Sequence, residues 1–75
     1  MARDPGPALL ALVQDKLDPR AVSQWITAYL GKRSTREKRL ALEALQLEFR
    51  SRQGAEPRAA GLVLRVIENL LATLE

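Results

Sequence analysis

Seventy-five residues with no cysteine and no histidine admit a single domain and remove disulfides, thiolate metal sites, the commonest neutral metal ligand and the commonest general base. At this length a folded chain buries only about 60–65% of the surface it exposes when unfolded, so its core must be dense or shared. Hydrophobic residues make up 47% of the chain, led by the helix formers Leu (14) and Ala (11), and the net charge is a mildly basic +3.

Asp4-Pro5 offers an N-cap side chain followed by proline at the first helical position, where a missing N–H costs nothing. A first helix is expected over about 5–17, with Leu9, Leu10, Val13 and Leu17 as its apolar side. Asp18-Pro19 repeats the device and opens a second helix over 19–30. There Val22, Trp25, Ile26, Tyr29 and Leu30 form one stripe, and Gly31 suits a left-handed residue past the end.

Ser34 with Glu37 three residues on reads as a capping box, predicting a third helix over 35–53 with Gly54 beyond it. Pro57 opens a fourth, over 57–74. The connections are short, so successive helices must pack as neighbours. The expected fold is all-α: one domain over 1–75, a compact four-helix bundle or orthogonal array.

The last two helices carry more apolar surface than one small core needs. In the fourth, Ala60, Val63, Ile67, Leu70 and Leu74 recur at heptad spacing, flanked by Leu62 and Val66 on one side and Leu64 and Leu71 on the other. That arc spans roughly 200°, twice the usual stripe. The third is two-sided: Leu42, Leu45 and Phe49 with Ala41 make one face, and Leu40, Ala44 and Leu47 another. Two readings compete. Either the fourth helix is central and wrapped by the other three, or part of this surface is an interface, with Leu40, Ala44, Leu47, Leu64 and Leu71 as its candidates.

Residues 32–39 read KRSTREKR: Lys32, Arg33, Arg36, Lys38 and Arg39 against Glu37 alone, a local +4. Cations in the first turns of a helix oppose its dipole, so helix stability does not account for them. They converge with free backbone N–H groups, which suits an anion or an acidic partner. The plain alternative is a solvated loop. Arg50, Arg52 and Arg58 would extend the patch if the following turn lay nearby. A helix-turn-helix around Gly31 is poorly supported, because Lys32 and Glu37 stand at normally apolar positions. No aromatic residue interleaves with the basic run to stack on single strands.

Catalysis is not expected. The chain lacks a nucleophile–base pair, paired carboxylates and a glycine-rich phosphate loop. No cofactor, metal or small-molecule substrate is implied. With no signal peptide and no apolar run long enough for a bilayer, the chain reads as intracellular and cytoplasmic, a nuclear location being compatible. The expected function is a non-enzymatic protein–protein interaction module or small regulatory subunit. It would bind a protein partner or a second copy through the apolar surplus of helices three and four, with the basic turn orienting an acidic partner. The alternative is a nucleic-acid-binding accessory protein contacting phosphates through residues 32–39.

Overall fold

The computed structural model describes residues 5–74, and within them the chain is all-α: α1 (Pro5–Asp15), α2 (Pro19–Leu30), α3 (Thr35–Arg52) and α4 (Pro57–Thr73). The expected Asp4 cap lies outside the described residues.

Local chemistry sets most of the boundaries. Asp18 is extended (φ −114°, ψ 110°) and its Oδ1 accepts the Arg20 N–H at 3.0 Å, with Pro19 following as the first helical residue. The same extended geometry corrects the expected end of α1. A residue before proline avoids the helical region, so the chain must unwind ahead of Asp18. Accordingly α1 stops at Asp15, and Leu17, expected on its apolar side, sits in the connection with 55% of its surface exposed. At the end of α2, Gly31 takes φ 59° and ψ −130°, while its N–H still reaches the Thr27 carbonyl at 3.1 Å. Only glycine enters that conformation without strain. The capping box at α3 is complete: the Glu37 N–H donates to Ser34 Oγ at 3.2 Å, and the Ser34 N–H donates to Glu37 Oε1 at 3.2 Å.

α4 is the central element. It packs against α1, α2 and α3, whereas α2 and α3 scarcely meet. Ala59, Ala60, Val63, Leu64, Val66 and Ile67 of α4 are buried against Leu9 and Val13, Val22, Ile26 and Leu30, and Leu42, Leu45 and Phe49. Each Val, Leu, Ile or Phe among them contributes about 1.5–3 kcal/mol by leaving water. Among the described residues no polar or charged side chain is buried, so the core carries no desolvation penalty of that kind. The wide apolar arc of α4 is therefore mostly consumed within the protomer.

Candidate interaction surface

α3 turns two apolar faces in opposite directions. The 3.6-residue repeat puts Leu42, Leu45 and Phe49 on one side, and all three are buried. Leu40 and Leu47, seven residues apart and about 20° from one another around the axis, lie on the other. They remain 60% and 68% exposed, with Ala44 exposed between them. Among the described residues, only these two and Leu17 are large hydrophobic side chains left in water. The stripe begins with Arg36 and ends with Ser51, both exposed.

The remaining expected interface positions are elsewhere. Leu64 is 9% exposed and belongs to the core, because its flank of α4 is covered. Leu71 is half-buried against that same core. That leaves Leu40, Ala44 and Leu47 as the exposed ones among the expected interface positions.

Beside the stripe, the divergence of α2 and α3 leaves an open groove of about 520 Å³. Tyr29 and Arg33 form one bank, Leu40 and Ala44 the other, with the more buried Ala41 and Leu45 between them. Tyr29 is stacked on Trp25, ring centroids 5.6 Å apart and 13° between planes, and the pair stands half-buried on α2, packed against the edge of the core. Glu48 closes the far end. Its carboxylate accepts from Arg52 Nη2 at 3.1 Å and Nε at 3.3 Å. It also occupies the space a Cβ on Gly6 would need, which brings the first turn of α1 directly against it. Sequence reasoning missed this contact. Its one visible sign is a glycine between two prolines in a first helical turn, where an acidic residue would favour the dipole.

The basic turn is split by the fold. Lys32, Arg33, Arg36 and Arg39 are exposed. Lys38, expected among them, is half-buried on the core-facing side of α3, beside Leu30, Leu42, Leu70 and Leu74. It precedes Leu42 by one helical turn, so its methylene stem covers the end of the core while the ammonium reaches water. Arg33 folds back, its guanidinium carbon 5.1 Å from the centroid of the Tyr29 ring. Glu37, the lone acid of the run, is committed to the cap. The Ser34 N–H and the Ser34 hydroxyl both bond its carboxylate and hold it below the ordinary glutamate value against an opposing desolvation, with a lesser contribution from the Arg33 charge. Arg50, Arg52 and Arg58 do not extend the patch, since Arg52 lies about 24 Å along α3 from Arg36 at 1.5 Å per residue.

Among the described residues, no group of His, Cys, Asp or Glu is placed to hold a metal ion, and no helix is long and apolar enough to cross a membrane. Comparison with protein-family models, with curated proteins and with solved structures gives no match to this chain.

Proposed function

We propose that the protein is a non-enzymatic interaction module that binds another protein surface through the outer face of α3, with the exposed cations of the 32–39 turn favouring an acidic partner. One observation carries this reading: Leu40 and Leu47, with Ala44 between them, stand in water on the side of α3 opposite the core, although the chain has room for so little wasted apolar surface. Burying two such leucines on a partner contributes about 1.5–3 kcal/mol each.

The test is site-specific photo-crosslinking in the native cells, with a benzophenone side chain at position 44 and, as control, at the exposed position 24 on α2. A discrete adduct from position 44 but not 24, lost in the L40E/L47E variant, is the expected result. No adduct at 44 beyond the control overturns the reading. Circular dichroism of L40E/L47E should show unchanged helicity; unfolding would mean that these leucines support the fold.

Lys32, Arg33, Arg36 and Arg39, all exposed, favour a second reading in which the turn contacts nucleic-acid phosphates. Filter binding at two salt concentrations tests it. Retention that falls steeply with salt and is weakened by R33A/R36A supports this reading, and no retention at low salt removes it.

A further inference from the structure

We infer that the surface received by the outer face of α3 is the same face of a second copy, paired antiparallel about a two-fold axis passing between residues 45 and 46. This rests on the reading of that face as an interface and adds the identity and register of the partner. It follows from the residues that border the leucines.

In heptad terms Leu40 and Leu47 occupy one core position of a helix pair, and Ala44 and Ser51 the other. An antiparallel pair sets each large position against a small one. About the stated axis, Leu47 lies against the partner's Ala44 and Leu40 against the partner's Ser51, so each leucine fills the hollow left by a small residue.

Beside this seam, on one flank, run Arg36, Glu43 and Arg50 at seven-residue intervals. Glu43 and Arg50 are both exposed, and neither side chain has an ion-pair or hydrogen-bond partner among the described residues. The same axis brings Glu43 beside the partner's Arg50, and by symmetry Arg50 beside the partner's Glu43. The axial offset is two residues, about 3 Å, within reach of these side chains across a helix pair.

Other arrangements set like charges together. Sliding the antiparallel pair one heptad toward the basic turn places Glu43 against the partner's Glu43 and Arg36 against the partner's Arg50. Sliding it the other way opposes Arg50 to the partner's Arg50. Parallel pairing puts Glu43 beside the partner's Glu48 and lays the two +4 turns side by side. The antiparallel pair instead carries those turns to opposite ends. Side-chain size thus favours the antiparallel arrangement and the charge pattern selects its register, since mispaired charges at such a seam act chiefly by excluding alternatives.

Sedimentation equilibrium over a concentration series into the high-micromolar range tests the inference, using the full chain and charge reversals at positions that face water. The wild type should reach twice the 8.4 kDa protomer mass. E43R alone and R50E alone should each weaken association about tenfold or more, since each creates two like-charge contacts. An equimolar mixture of the two single variants should recover it, because each then supplies the charge the other lacks. If the wild type dimerises and L40E/L47E abolishes this, yet both charge reversals leave it unchanged, the antiparallel register is overturned while the interface stands. If the wild type stays monomeric throughout, self-pairing is overturned, and a foreign adduct from position 44 still supports the broader reading. A dimer that survives L40E/L47E is built on another surface and likewise overturns self-pairing through α3.

Discussion

The guanidinium of Arg33 sits over the ring of Tyr29, on the far side of the Gly31 turn, with 5.1 Å from its carbon to the ring centroid. The contact ties the start of the basic run to the last turn of α2 and fixes one bank of the groove. At a solvent-exposed site such a cation–π contact contributes about 0.5–1 kcal/mol. R33A should lower stability by about that amount in urea titration, while R36A, farther along the same run, should leave it unchanged within error. Equal effects from both would mean that general charge, and not the ring contact, sets the difference.

Gly31 tolerates no side chain without backbone strain. The obstacle is conformational, because a Cβ built there meets only the Ala28 carbonyl oxygen, at an ordinary 3.8 Å. With φ 59° and ψ −130°, G31A should cost about 1–3 kcal/mol. The matched control is G54A, at a glycine with open space and no positive φ. It should be neutral or stabilising by a few tenths of a kcal/mol. Thermal unfolding of the two variants side by side separates them.

The capping box makes part of the stability pH-dependent. The folded carboxyl of Glu37 titrates below its ordinary value of 4.5, so the fold favours the ionised form. Its contribution is fully present above that value and is lost as pH falls through the lower folded one. E37Q keeps a neutral acceptor for the Ser34 N–H but cannot ionise. Wild type should therefore exceed E37Q in stability near neutral pH, and the gap should close on acidification below 4.5. A gap that persists at low pH would contradict this linkage.

The two faces of α3 should respond oppositely to truncation. Leu42 is fully enclosed, and L42A should cost about 2–5 kcal/mol from lost transfer energy and the cavity left behind. For a domain whose total stability is of order 5 kcal/mol, that is close to unfolding. L40A, measured at low concentration where the chain is monomeric, should change stability by no more than about 0.5 kcal/mol. Similar losses at both positions would show that Leu40 contributes to the fold.

That contrast marks where the sequence stops being sufficient. Asp18, Gly31 and the Ser34–Glu37 pair act through bonds two to four residues long, so their roles are readable from spacing. The choice between the faces of α3 is not local. Leu42, Leu45 and Phe49 on one side and Leu40, Ala44 and Leu47 on the other have the same periodicity, and only docking on α4 decides which is enclosed. Leu64 is enclosed for a related reason that sequence does not carry, since a wide apolar arc looks alike whether a neighbour covers it or not. Lys38 stands among charged neighbours in sequence, yet helical rotation turns it towards Leu42. The meeting of Gly6 with Glu48 joins chain positions far apart and leaves almost no local trace.

Because α4 meets all three other helices and carries six of the core's buried side chains, the contacts that α1 makes with α2 and α3 enclose no core until the fourth leaves the ribosome. Nascent chains should therefore gain protease resistance late and in one step, after Ile67 emerges, and not helix by helix. During that interval the leucines of both faces of α3 are equally bare, and the growing polypeptide depends on speed or on a chaperone to avoid premature association.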